Sequence, residues 1–187
     1  MPIAKISVIL VLAAPPPSHM TAPEGIETAV VASEPMVQDP VAFWIDPDGR
    51  LFFAETERTN HGTMDNRSSP FWLDDDLQAM TVDDRLEYYR KWEHMREGGM
   101  AYYREKPDRV RSSIDSDGDG VYDTFTVFAG PFNDTLDGIG SGVMRVGDEI
   151  WYANIPNLWR LVDADGDGIA EEQAPIHTGF GVRTALY

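Results

Sequence analysis

The sequence predicts an all-β chain built from a repeated unit and interrupted by one helix. Three observations predict it: strand-length apolar runs bounded by turn residues, an acidic nine-residue loop that occurs twice in register, and a single stretch with helical periodicity.

Lys5 is followed by an apolar run from Ile6 to Ala14, and Pro15, Pro16 and Pro17 then end any helix. So short a run cannot span a bilayer, and no integral membrane span is expected; it matches the apolar region of a secretory leader. No clean Ala-x-Ala cleavage site follows, and a frayed N-terminus or a misplaced start fits the same residues. Residues 1–24 are therefore set apart as a signal-like or disordered N-terminus, and the leader reading implies export to the periplasm or the extracellular space. Folding signals begin near Gly25 and define one domain, 25–187.

Thr28 to Val31 is β-branched and apolar, and Val41 to Ile45 reads as a short buried strand. Asp46-Pro47-Asp48-Gly49 is turn chemistry, with proline pre-set for the bend and glycine free to take positive φ. Leu51, Phe52 and Phe53 return, so 41–55 is a predicted β-hairpin. Val143, Met144 and Val146 lead into Gly147-Asp148, and Ile150, Trp151 and Tyr152 lead out, which predicts a second. Arg109 to Ile114, Thr124 to Phe128 and Leu158 to Val162 are three more strand-length runs.

One stretch departs from this pattern. Thr81 can cap a helix with Asp84 as its capping-box partner. Val82, Leu86, Tyr89 and Trp92 fall on one helical face, Glu87 and Lys91 form an i,i+4 pair, and Gly98-Gly99 is a stop signal. The spacing predicts a helix over 81–97.

Asp115-Ser-Asp117-Gly118-Asp119-Gly120-Val121-Tyr-Asp123 recurs as Asp163-Ala-Asp165-Gly166-Asp167-Gly168-Ile169-Ala-Glu171, an offset of 48 residues. The same offset pairs Val110 with Leu158, Ile114 with Val162 and Phe132 with Phe180. A period of this size is what one four-stranded propeller blade needs. The hairpins are offset by 99 residues, Leu51 to Ile150, which leaves a surplus of 51 over one repeat. That surplus matches the stretch from about 57 to 107, which contains the helix and reads as an inserted rim element. The expected fold is a partial β-propeller of about two blades with an inserted α-helix.

Calcium takes six to eight oxygens at about 2.3–2.6 Å, and carboxylates at alternate positions of a tight loop all point inward. Asp115, Asp117, Asp119 and Asp123 supply them in the first loop, and Asp163, Asp165, Asp167 and Glu171 in the second. The backbone carbonyls of Val121 and Ile169 add a ligand each. An EF-hand requires glutamate at the twelfth position, where Thr126 and Ala174 stand here. Complete ligation by protein leaves no place for substrate, so the sites read as structural. Two bound calcium ions would bring the formal charge from −17 to −13. So acidic a chain repels phosphate backbones, and nucleic acid is excluded as a partner. The absence of cysteine excludes disulfides, thiolate metal sites and covalent haem attachment within this chain.

No self-contained catalytic constellation is visible. His19, His61, His94 and His177 are scattered, and neither a phosphate-cradling glycine loop nor a nucleophile elbow occurs.

Leu51-Phe-Phe-Ala-Glu-Thr-Glu57-Arg58 resembles an early strand of soluble glucose/sorbosone dehydrogenases, which are pyrroloquinoline-quinone propellers. Asn133-Asp-Thr-Leu-Asp137-Gly-Ile-Gly-Ser-Gly142, Ile155-Pro-Asn-Leu-Trp159 and His177-Thr-Gly-Phe-Gly-Val-Arg183 are similar to segments of the large exported dehydrogenase-like propellers of planctomycetes. Those proteins carry Asp-x-Asp-Gly-Asp-Gly loops between blades, and many end in a cytochrome c-type haem domain. The resemblance spans roughly 30–187 and implies a six-bladed type of propeller acting on a sugar or other alcohol. In that family a histidine further along takes the hydroxyl proton while hydride passes to the quinone. The sequence ends at Tyr187, before that segment, and lacks the Cys-x-x-Cys-His haem site. The expectation is an N-terminal fragment, inactive alone, whose partners are downstream blades and a haem domain. The resemblance places Asp137 where the second blade's inner strand reaches the channel, with Arg58 and Arg183 facing the same axis. The alternative is a non-catalytic, calcium-stabilised propeller serving adhesion or carbohydrate binding.

Overall fold

The computed structural model describes residues 6–12, 23–183 and 185–186. Strand β1 (Ile6–Leu12) pairs in parallel with β2 (Ile26–Ser33). Part of the leader-like run is thus extended, whereas residues 1–5 and the cleavage region 13–22 lie outside the described residues.

β3 (Pro40–Ile45) and β4 (Leu51–Thr56) form the first expected hairpin, with Ile45 opposite Leu51. Its turn is fixed by Asp46, whose Oδ1 accepts the N–H groups of Asp48 (3.0 Å) and Arg50 (2.8 Å), while Gly49 takes φ +85°. β6 (Asp108–Ile114) and β7 (Thr124–Phe132) complete an antiparallel sheet in the order β3-β4-β6-β7. β8 (Gly140–Val146), β9 (Glu149–Asn154), β10 (Asn157–Val162) and β11 (Glu172–Thr178) form a second, β8-β9-β10-β11. Both sheets are simple meanders. The chain is mostly β, and neither sheet closes into a barrel.

Meander topology sorts the connections to two ends. The turns at 46–49 and 147–148 and both acidic loops lie at one, here the loop end. The connections 57–107, 133–139 and 155–156 lie at the other, the clamp end. Along each strand, side chains alternate between faces. Phe52, Ala54, Val110, Phe128 and Phe132 of the first sheet meet Val143, Ile150, Tyr152 and Leu161 of the second in the largest apolar core. On its other face the first sheet buries Leu51 and Phe53 under Ala32 and Val37.

The repeat holds in three dimensions. Val110 pairs with Ala129 and Arg111 with Val127, which leaves Phe128 as an extra residue in β7. Leu158 pairs with His177 and Trp159 with Pro175, which leaves Ile176 extra in β11 at the same repeat position.

Two expectations need correction. Val41 to Ile45 is not buried: Val41, Phe43, Trp44 and Ile45 are 37–51% exposed, because β3 is an edge strand. The helix begins as expected, with Thr81 and Asp84 forming a capping box, but α2 is Val82–Lys91 rather than 81–97. The Trp92 indole donates to Asp75, and the chain then unwinds so that the Arg96 guanidinium lies over the rings of Phe71, Trp72 and Tyr102. A helix continued past Trp92 would forgo these contacts. Between β4 and β6, the two-residue β5 (Met64–Asp65) and a short α1 (Leu73–Gln78) precede α2. This segment has its own core of Met64, Trp72, Tyr88, Tyr89 and Tyr103, which also reaches Leu136 and Val182. β5 pairs in parallel with β12 (Ala185–Leu186). Among the described residues no helix is long and apolar enough to cross a membrane.

Candidate functional site

At the loop end, β6 leads into the first acidic loop and β10 into the second. Positive φ at Gly118 and Gly120, and at Gly166 and Gly168, gives both loops the same tight path. Asp163, Asp165, Asp167 and Glu171 bring one oxygen each to within 4.8 Å of one another. In the first loop Asp115, Asp117 and Asp119 converge in the same way. Asp123 does not join them: its carboxylate accepts from the N–H and the hydroxyl of Ser116, and those bonds hold its pKa below the usual carboxylate range. Val121 and Ile169 leave their apolar side chains about half exposed, so these positions offer a ligand only through the backbone. The donor set is all oxygen and mostly anionic, which suits a hard divalent cation.

The second loop is also anchored to the first sheet. Ala170, 5% exposed, donates its N–H to the Phe128 carbonyl at 2.7 Å, and Arg50 lies 3.7 Å from Asp163. Arg145 of β8 reaches back to Asp46 (3.1 Å) and Asp48 (2.5 Å) of the first hairpin. The loop end is therefore a lattice of charges between the two sheets.

At the clamp end, Arg58 is fully buried and spends its guanidinium on backbone carbonyls. It donates to Gly138 (3.1 Å), Lys106 (2.7 Å), Asp134 (3.2 Å) and Asp137 (2.6 Å). Arg85, equally buried, donates to the Leu136 carbonyl at 2.5 Å. Two arginines thus hold the 133–139 connection in place. The Asp137 carboxylate accepts the Asp134 N–H at 2.8 Å, and burial pushes its pKa up to about 6, against the attraction of Arg58. Asp108, also buried, accepts from the N–H groups of Glu57 (3.2 Å) and Gly140 (2.6 Å) and from the Asn154 amide (3.2 Å). Burial raises the Asp108 and Tyr152 pKa values as well.

The structure brings Arg58 and Asp137 together but not Arg183, which is exposed and donates to the Leu77 carbonyl at 3.1 Å. The rest of the 51–58 motif is also structural. Glu55 is buried and pairs with Arg111 at 2.8 Å, and Glu57 pairs with Arg109. A quinone bearing several carboxylates needs accessible cations, and Arg58 is neither accessible nor unspent. These residues do not fit such a group. Sequence reasoning missed Asp108, Asn154 and Arg85, and no local signal marks them: Asp108 meets Asn154 across 46 residues and Arg85 meets Leu136 across 51. His61 stacks on Tyr102 at 4.4 Å, His94 lies beside Trp92 and His177 beside Phe180, so the three occupy separate places; His19 lies outside the described residues.

Residues 16–185 match the family model described as Domain of unknown function (DUF7133). The chain belongs to the DUF7133 family. No curated protein and no solved structure matches it. In this DUF7133 chain the loop end carries the converging donors, and the clamp end carries a buried scaffold.

Proposed function

We propose that the chain forms two neighbouring blades of an exported, calcium-stabilised β-propeller. The observation that carries this reading is the pair of four-stranded meanders, each with its acidic loop at the same repeat position. The side-by-side course of the edge strands β3 and β8, which would be the inner strands of adjacent blades, is consistent with it. Calcium in each loop would neutralise carboxylates that otherwise repel at close range, and would stiffen the end at which the blades are joined by ion pairs.

The resemblance to glucose/sorbosone dehydrogenases extends the proposal to a parent protein oxidising a sugar or other alcohol through pyrroloquinoline quinone. Haem-domain partnership belongs to the same extension. The buried setting of Arg58 and Asp137 favours a second reading, a non-catalytic calcium-stabilised propeller for adhesion or carbohydrate binding. In both readings this chain alone is inactive as a dehydrogenase.

Calorimetric titration of metal-stripped protein tests the common core of the two. About two calcium ions per chain are expected, with a higher melting temperature once bound. No calcium heat together with an unchanged melting temperature in millimolar calcium would remove the proposal. Neither reading expects sugar-dependent dye reduction by the chain with calcium and added quinone; observing it would overturn the inactivity of the chain alone and exclude the non-catalytic reading.

A further inference from the structure

Repeat equivalence identifies a face that is covered on one sheet and open on the other. Phe52, Val110 and Phe128 of the first sheet, each at most 2% exposed, lie under the second sheet. The 99-residue hairpin offset and the 48-residue repeat carry them to Trp151, Leu158 and Ile176. Cross-strand pairing agrees: Phe52 is opposite Ser112 as Trp151 is opposite Arg160, and Ala54 opposite Val110 as Ala153 opposite Leu158. These counterparts are not covered. Ile176 is 41% exposed and Phe180 48%, and Trp151, Ala153 and Leu158 are half-buried.

The opposite faces correspond as well. Ile150, Tyr152 and Leu161 of the second sheet, which rest on the first, are the counterparts of Leu51, Phe53 and Ser113. Leu51 and Phe53 are already covered by residues 31–37. Each sheet thus has one face that receives a neighbour and one that seats on a neighbour. Of these four faces, the receiving face of the second sheet is the one left open among the described residues.

We infer that the Trp151–Leu158–Ile176 face receives a further copy of the 48-residue repeat, seated as the second sheet is seated on the first. A second molecule of this chain cannot reproduce that seating. Its Ile150 face is engaged with its own first sheet, and its Leu51 face lies under residues 31–37. The hydrogen bond that locks the existing pair assigns the attachment point. Ala170, just past the acidic loop, donates to the carbonyl of Phe128, the extra residue in β7. Ile176 is the extra residue at the same position in β11, and its carbonyl meets no such donor among the described residues. An N–H just past the occupant's own acidic loop fills that place. The ion pairs between the sheets do not carry over: Asp46 and Asp48, which Arg145 reaches, correspond to Arg145 and Gly147. Arg50, which faces Asp163, corresponds to Glu149, and Glu149 is paired with Arg160 at 2.6 Å. The docking therefore rests on the apolar face and the carbonyl lock. It rests on the repeat-array part of the proposed function and is independent of calcium and of the quinone.

The test is the full chain with residues 133–180 repeated once after Phe180 and residues 181–187 following the added copy. Hydrogen exchange of the 172–178 amides is compared with the unaltered chain, in calcium and in chelator. The expected result is exchange at least about tenfold slower in the first-copy β11, and reversal of that protection by Ala170→Pro in the added copy. An added repeat that folds without protecting β11, or that stays unfolded, overturns the inference. So does a concentration-dependent dimer of the unaltered chain that Ile176→Asp abolishes, since the occupant would then be a second molecule. Protection in chelator alongside absent calcium heat would uphold the docking while removing the calcium reading.

Discussion

Replacing Asp137 with asparagine should stabilise the protein at neutral pH and leave it unchanged in acid. The carboxyl is 5% exposed and accepts the Asp134 N–H, a bond that the asparagine side-chain oxygen can keep. Burial raises its pKa from an ordinary 3.8 to about 6, since Arg58 is shared with a second buried carboxylate, Asp108. A pKa raised in the folded state means the native protein binds the extra proton. The favourable contribution is fully present below pH about 4 and is lost as pH rises through about 6. Two pKa units correspond to about 3 kcal/mol, an upper bound because the site can relax on ionising. Asp137→Asn removes that loss, so the variant should gain about 1–3 kcal/mol over wild type at pH 8 and nothing at pH 4. For a chain of this size that is about 2–12 °C in melting temperature. Urea unfolding of both proteins from pH 4 to 8 at fixed calcium measures the difference, and the titration of the acidic loops is common to both. If the variant is less stable than wild type at pH 8 and equal at pH 4, Arg58 stabilises the ionised carboxylate by more than burial penalises it. The desolvation argument is then wrong.

Arg58→Met should cost roughly 3–5 kcal/mol in urea unfolding, because it leaves four backbone carbonyls and two carboxylates without their cation; a loss under about 1 kcal/mol would mean that water enters and replaces the guanidinium. Gly62→Ala places a methyl 2.6 Å from the carbonyl oxygens of Asp137 and Gly138, both backbone atoms that cannot swing away, so it should cost upwards of about 2 kcal/mol. Gly142→Ala, with open space around the added methyl, serves as its control and should change thermal stability by less than about 0.5 kcal/mol.

The parts of the fold that the sequence discloses are those whose causes lie close together in the chain. The hairpin at 46–49 is readable because Asp46 bonds to Asp48 and Arg50, two and four residues away. The start of α2 is readable because Thr81 and Asp84 cap each other. Its end is not, because Trp92 and Arg96 are drawn to Asp75 and Phe71, on the far side of the α1–α2 turn. β3 looked like a buried strand from composition alone, and composition does not say which strand will be an edge.

The same distinction separates the two ends of the molecule. Every carboxylate that converges in an acidic loop lies within nine residues of its partners, so the convergence is legible in the sequence alone. Only the diversion of Asp123 to Ser116 was hidden, and it depends on a hydroxyl for which the second loop has Ala164 instead. At the clamp end Arg58 meets Asp137 across 79 residues and Asp108 meets Asn154 across 46. Such separations are bridged only in the assembled fold of both sheets and the 57–107 segment. An arginine in a polar motif reads from sequence as a side chain offered to a ligand; the backbone carbonyls that absorb its donors appear only with the topology. The resemblance carried Arg58 and Asp137 forward as channel residues because it transferred sequence positions, whereas accessibility is a property of the assembled sheets. Residue type and local spacing therefore suffice to place carboxylates that converge in a loop, and a cofactor pocket walled by distant strands has to be argued from burial.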